Sequence, residues 1–334
     1  MMVKTAANRP TLKTISDLSG LAVPTVSRAL KDAPDISAKT KRRVREIATR
    51  IGYVPNRAGV RLRTGKTNVI SLVLSTEHDM MNHTARLISA VAGGLQDTDY
   101  HLIVTPYFPS DDPMKPVRYI VETQSADAVI LNQTQPQDPR ISYLMDKGFP
   151  FATHGRTDWC DRHPYYDFDN AEFGRIAAEL LIGRGRRNLM LIAPPLEQNY
   201  ARNMVEGARS QATGPEMTFT VMAGASSDST AHDIQNAAAR ALEGDPSIDG
   251  IICGSTTAAM SAVAMLEQSG HVVGENVDVF AKEAIPFLNL FRPAILAVQE
   301  DVAAAGAFLA HAARQAIENP RLAPMQGLDI PKAP

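Results

Sequence analysis

A chain of 334 residues is too long for one ordinary domain and suits two or three. Its 44% hydrophobic and 21% charged content excludes wholesale disorder, and no apolar run reaches the roughly 18–20 residues that span a bilayer. The net charge of −2 conceals a division: residues 1–66 hold 15 Lys or Arg against four acids, a net of +11, and the remainder nets −13, as expected of a polyanion-binding module joined to something that avoids polyanions.

The opening residues MMVKTAANRPTLK lack the apolar stretch of a secretory signal. Two cysteines, Cys160 and Cys253, stand far apart, which speaks against a disulfide framework or zinc site and suits a reducing cytoplasm. From residue 11 onward apolar residues recur at helical spacing in three bursts: Leu12, Ile15 and Leu18; Val26, Ala29 and Leu30; Val44, Ile47, Ala48 and Ile51. Gly20 sits where a tight turn between helices needs positive φ, Pro34 interrupts after the second burst, Ser37 suits an N-cap and Gly52 a C-terminal stop. Three short helices on one small core, with a glycine turn between the first two, is the helix-turn-helix arrangement.

The residues Thr11-Leu12, Gly20, Thr25-Val26-Ser27-Arg28, Ser37-Ala38-Lys39-Thr40, Gly52-Tyr53 and Pro55-Asn56-Arg57 carry a resemblance to the lactose-repressor/galactose-repressor family of bacterial regulators. It runs without a gap over about fifty residues, which makes it highly specific. A second helix beginning near Val23 would lie in the major groove of double-stranded operator DNA. Arg28 is the candidate for a bidentate guanine contact, Thr25 and Ser27 suit phosphates or bases, and Thr11 a phosphate. The resemblance implies that Val23 and Pro24 set operator preference, and they can do so only through apolar contact. Lys31, Ser37, Thr40, Asn56 and Arg57 complete the expected DNA contacts. Lys39, Lys41, Arg42, Arg43 and Arg45 are either phosphate neutralisers or solvated charges. The resemblance further implies that residues 56–66 form a hinge helix on DNA, with Leu62 wedged into the minor groove.

Beyond Thr67 strands and helices alternate. Strand-like runs fall at 69–74, 101–105, 128–131, 151–153, 188–193, 218–222, 250–253, 277–280 and 295–299, with helices including 84–97, 170–184, 203–212, 229–243, 257–269 and 301–317. Repeated βα units imply parallel sheets covered by helices on both faces. The expected fold is therefore an all-α helix-turn-helix domain (1–55), a hinge (56–66) and an α/β two-lobed sensor and dimerisation domain (67–334). By resemblance the sensor is periplasmic-binding-protein-like, with lobe crossings near 165 and 290 and ligand in the cleft.

Strand ends nominate ligand contacts. Ser75 and Thr76 follow the first strand; His154, Arg156 and Asp158 follow the fourth, with an interlobe structural role equally open. Asp169 and Asn170 precede a helix, where capping explains them as well. Arg202 matches the arginine that clamps sugar hydroxyls in the family. Two departures stand out: Ser255-Thr256 where sugar-binding relatives carry Asn-Asp, and Phe280-Ala281-Lys282-Glu283 where they carry Gly-Tyr-Asp-Asp. Lys282 in place of carboxylates shifts the site toward positive and an anionic effector, unless it pairs with Glu283 or Asp278. Sugar, sugar acid and sugar phosphate stay open as effectors.

The expected function is operator binding as a homodimer on a pseudo-palindrome, since no sustained heptads follow, with release on ligand favoured over corepression. A transport-type solute receptor is the alternative. No phosphate loop, dinucleotide fingerprint, zincin motif or nucleophile elbow occurs, so neither an enzyme nor a cofactor is expected. No metal is expected either: His78 and His83 form the only loose histidine pair, and loop residues near a cleft explain them.

Overall fold

The computed structural model describes residues 10–54, 61, 65–75, 81–108 and 110–334, without the side chains of residues 81 and 82. Asn56, Arg57, Leu62, Thr76 and His78 lie outside the described residues. The chain divides into two compact units, Met1–Thr67 and Asn68–Pro334.

In the first unit α1 (Leu12–Ser19), α2 (Val23–Leu30) and α3 (Ala38–Arg50) surround one small core. Thr11 caps α1 with its hydroxyl on the Thr14 N–H at 3.3 Å, and the Thr14 hydroxyl accepts from the Thr11 N–H at 3.1 Å, a reciprocal capping box. Gly20 ends the helix at φ 69°, where a Cβ would be strained. Ile15, Val26, Ala29, Val44, Ile47 and Ala48 are buried. Leu18, expected inside, is 49% exposed. The buried stripe of α1 runs from Ile15 to its i+4 partner Ser19, which turns Leu18 outward.

The second unit contains two wholly parallel sheets. The first has the order β11-β5-β4-β3-β1-β2, built from β1 (Val69–Ser75), β2 (His101–Tyr107), β3 (Ala128–Leu131), β4 (Phe151–His154), β5 (Tyr165–Phe168) and β11 (Gln326–Asp329). The second has the order β10-β9-β8-β6-β7, from β6 (Asn188–Ile192), β7 (Thr218–Val221), β8 (Gly250–Cys253), β9 (Asp278–Glu283) and β10 (Leu296–Gln299). The unbroken apolar run of β1 matches its burial at every position. Neither β5 nor β11 was expected from the sequence. Strand order reverses beside β1 in one sheet and beside β6 in the other, the places where open α/β sheets form binding crevices.

Helices α4 (Met81–Gly94), α5 (Met114–Thr123) and α6 (Pro139–Asp146) belong with the first sheet. Helices α7 (Asn170–Gly183), α8 (Asn199–Gln211), α9 (Ala231–Gly244), α10 (Thr256–Gln268) and the short α11 (Leu288–Phe291) belong with the second. The chain leaves the first sheet after Phe168 and returns between Gln299 and α12 (Val302–Glu318), which packs on α4. Both crossings come later than the positions near 165 and 290. Asp169 caps α7 and Asp301 caps α12; the Asp169 N–H donates to the Asp329 carbonyl at 2.8 Å and the Asp301 N–H to the Asp329 carboxylate at 3.3 Å. No helix among the described residues is long and apolar enough to cross a membrane.

Helices α7 and α8 meet at glycines: a Cβ on Gly207 would overlap the Ala171 carbonyl, and one on Gly174 the Met204 carbonyl. Both obstacles are helix backbone, which cannot step aside as a side chain can. Gly207→Ala is therefore expected to cost about 1–3 kcal/mol as an overpacking change. An unchanged midpoint in chemical denaturation would refute this close packing.

Candidate functional site

In the helical unit, Val23 and Pro24 open α2 and face solvent, Val23 at 37% exposure, while Val26 and Ala29 on the opposite side are buried. Arg28 and Lys31 continue the exposed face, and Thr25 and Ser27 are half-buried. The outer face of α2 is therefore available along its length. Arg28, in the last turn, forms an exposed ion pair with Asp35. Ser37 caps α3 by accepting from the Thr40 N–H at 3.2 Å, and the two hydroxyls lie 2.9 Å apart. Lys41 and Arg45 reach Asp32, which turns at φ 58° between α2 and α3, at 3.1 and 2.8 Å. Lys41 first, then Arg45, holds the Asp32 carboxyl below its ordinary value. These two cations thus shape the turn, whereas Lys39, Arg42 and Arg43 stay exposed.

A polar cleft of the second unit opens between its sheets, with about 910 Å³ of empty space that includes open solvent. Strand ends deliver its walls: Asn132 and Gln133 follow β3, His154 ends β4, Asp167 lies in β5, Ser255 follows β8, Lys282 lies in β9 and Glu300 follows β10. Of the residues nominated from sequence, His154, Asn170, Ser255, Thr256 and Lys282 line this cleft. Ser75 is buried at the end of β1 and does not. Asp158 is exposed, and Arg156 turns away to Asp167 at 2.7 Å and Asp169 at 3.5 Å. Arg202 is exposed outside the lining, its Nε donating to the Leu196 carbonyl at 3.3 Å. On the first turn of α8 it is Tyr200 that enters the wall, two positions earlier and so on another helix face.

Lys282 meets neither Glu283 nor Asp278. Its ammonium lies 3.0 Å from the buried Glu300 carboxylate, 3.3 Å from Asn170 Oδ1, and over the rings of Phe168 and Tyr200 at 5.1 and 5.6 Å. Glu283 instead accepts from the Phe287 and Leu288 N–H groups, and Asp278 pairs with Arg184 and Arg186. Burial alone would raise the Glu300 carboxyl, but Lys282 and the His83 and His154 rings overcome it and hold it well below its ordinary value. Asp228 also lines the cleft; desolvation pushes its carboxyl up against the pull of Ser227 and Lys282. The positive site expected from Lys282 is thus absent: its charge is answered within the protein. Asn132 is 2% exposed, lines the cleft, and has neither side-chain amide atom partnered. Buried amides are as a rule hydrogen-bonded; the other buried amide atom without a partner among the described residues, Gln198 Oε1, lies outside the cleft lining.

Asn132, Tyr200, Asp228 and Glu300 were missed in the sequence, whereas His83, read there as a loop residue near a cleft, lines it from the first turn of α4. The strand-end rule that nominated Ser75 also reaches Asn132 and Glu300, each the first residue after its strand. Nothing comparable marks Tyr200 or Asp228.

Comparison with known proteins places both units. Residues 11–56 match the family described as bacterial regulatory proteins, lacI family, and residues 68–316 match periplasmic binding proteins and sugar binding domain of LacI family. The HTH-type transcriptional regulator AglR of Rhizobium meliloti (strain 1021) is 30% identical over 306 residues, covering 90% of this chain and 85% of AglR. CelR of Thermobifida fusca, a regulator of the same type, is 26% identical over 276 residues, 81% of each chain. Among solved structures, the lac repressor dimer bound to operator and the anti-inducer ONPF aligns at TM-score 0.83 with 18% identity, over 97% of both chains. A CelR–cellobiose complex aligns at TM-score 0.70 with 23% identity, over 97% of this chain and 98% of that one. At those identities the structural likeness speaks for the fold.

Proposed function

The chain belongs to the LacI family of bacterial regulatory proteins, and from that premise we propose that it represses genes of carbohydrate uptake or catabolism and releases its operator when a neutral sugar occupies the cleft. Asn132 carries the choice of effector. Its amide offers one donor group and one acceptor, unpartnered, on a wall where the single lysine is already neutralised. Such a surface suits hydroxyls, which donate and accept, and gives no spare cation to a carboxylate or phosphate. CelR, seen with the neutral disaccharide cellobiose, is consistent with this chemistry.

Calorimetric titration tests it with cellobiose and other neutral disaccharides beside the matching sugar acids and phosphates. Neutral sugars are expected to bind, and Asn132→Leu to weaken them at least about tenfold, since two hydrogen bonds at roughly 1 kcal/mol each are lost. Tighter binding of an acid or phosphate would overturn the assignment.

The DNA-reading half assigns Val23, Pro24, Thr25 and Ser27 at the start of α2 to base edges, with Arg28 and Lys31 beyond them on the same helix. Thr11, Ser37 and Thr40 sit at helix N-termini, where backbone N–H groups attract phosphate. Asn56, Arg57 and Leu62 are the hinge contacts of this reading. A homodimer then presents two such helices to a pseudo-palindrome. Sugar shifts operator affinity by its differential affinity for two lobe arrangements and by no more than that.

Arg28 must leave Asp35 to reach a guanine. Arg28→Ala is expected to cost about 1–3 kcal/mol and relax one base pair of the operator, whereas Asp35→Ala should tighten binding. Selection from random duplex DNA reads both. Unaltered base preference in Arg28→Ala would confine that residue to its ion pair.

A further inference from the structure

We propose that His83, His154 and Glu300 form a binding site for a divalent ion of the zinc class in the wall of the cleft. Three separate elements bring them together: His83 stands in the first turn of α4, His154 ends β4, and Glu300 follows β10. Both imidazole Nε2 atoms lie 3.4 Å from the same carboxylate oxygen, Oε1, and all three donor atoms fall within 4.8 Å of one another. The two rings stack at 5.3 Å with 27° between their planes, so both nitrogens converge on one point. No other such group of histidine, cysteine and carboxylate donors occurs among the described residues.

Hydrogen bonding accounts poorly for these separations. N–H···O bonds fall at about 2.7–3.2 Å, so 3.4 Å to both rings is long for each. Glu300 already has a closer cation, Lys282, on its other oxygen at 3.0 Å. Tetrahedral zinc with bonds of about 2.0–2.1 Å sets its ligand atoms about 3.3 Å apart, which matches both nitrogen–oxygen edges. Octahedral ions with bonds of similar length need about 3.0 Å, so the tetrahedral class fits better.

The surroundings are those of a held ligand set. Lys282 on Oε2 leaves Oε1 to face the rings, the way outer partners orient a carboxylate ligand. Glu300 is 5% exposed and the His154 side chain 10%. His83 Nδ1 is buried without a partner, so no second hydrogen bond orients that ring, and His83 is the softest of the three positions. Two histidines and one carboxylate are a donor set with which zinc keeps a fourth position open. All three residues line the cleft, so that position faces the space assigned to the sugar, where vicinal hydroxyls make suitable additional ligands.

The test titrates Zn²⁺ and Co²⁺ into the full-length chain without an affinity tag, in the absence of sugar and DNA, so its outcome is independent of the effector assignment. One tight equivalent per chain is expected, with Co²⁺ giving the intense visible absorption of tetrahedral coordination. His154→Ala and Glu300→Gln should each weaken binding about 100-fold or more, beyond what loss of an outer partner does. His311→Ala, exposed on α12, should leave it unchanged. Thermal melting and operator binding establish that each variant is folded, and His83→Ala provides an independent third variant. Absence of a tight equivalent, or binding that survives both His154→Ala and Glu300→Gln in folded protein, overturns the site.

Discussion

Arg140→Ala is expected to lower the stability of the two-sheet unit by about 3–5 kcal/mol in denaturant titration, the cost of leaving a buried charge without its partner. Arg140 is 3% exposed and Asp138, two residues before it, is 1% exposed. The guanidinium donates to both carboxylate oxygens, at 3.0 and 2.7 Å, to the Asn132 and Gln133 carbonyls at 3.1 and 3.0 Å, and to the Tyr107 hydroxyl at 3.3 Å. One side chain thus fastens the turn from β3 to α6, and that turn presents Asn132 to the cleft. Stability and sugar affinity should fall together. Asp138→Asn combined with Arg140→Ala should cost less than the two single changes summed, because the second removes a charge the first has stranded. Simple additivity would show that the pair does not act as a unit.

Arg156→Met is expected to show a deficit that depends on pH, about 3 kcal/mol near neutrality and smaller near pH 5. Burial pushes the Asp167 carboxyl above its ordinary value, and Arg156 at 2.7 Å is the main pull in the other direction; His154 lowers it slightly and Glu300 raises it. A carboxyl raised in the folded state contributes stability at low pH that is lost as pH rises through its folded value. Removing Arg156 raises Asp167 further, so the deficit grows with pH. Paired denaturation curves at the two pH values measure this. A deficit that is flat with pH would mean that Arg156 serves packing and not the Asp167 charge. Arg156 enters the sequence reading as a strand-end ligand contact or, equally, an interlobe structural residue, and the structure pairs it with Asp167 in the cleft wall.

The α/β alternation was legible because strands buried on both faces, such as VISLVL and GIIC, read as unbroken apolar runs. Tyr165–Phe168 and Gln326–Asp329 escaped for the opposite reason. One is aromatic with an aspartate inside it, and the other is a sheet-edge segment with two polar ends, so neither shows a buried run. Within the cleft, residues carried by strand ends were accessible to reasoning and those carried by helix faces were not. Arg202 and Tyr200 differ by two positions, and only the rotation of α8 decides which enters. The partner of Lys282 lay outside any local window, since Glu300 comes from the neighbouring strand, with Lys282 opposite Val298 in the β9–β10 register.

Asp329 has a mechanical consequence. Its carbonyl holds the backbone at one crossing between the sheets and its carboxylate holds the backbone at the other. Two pinned points define an axle. A body tied at both turns more easily about the line joining them than it slides along that line or swings across it. Relative movement of the two sheets would then favour one torsion angle, about the line through the Asp169 and Asp301 backbone that Asp329 ties together.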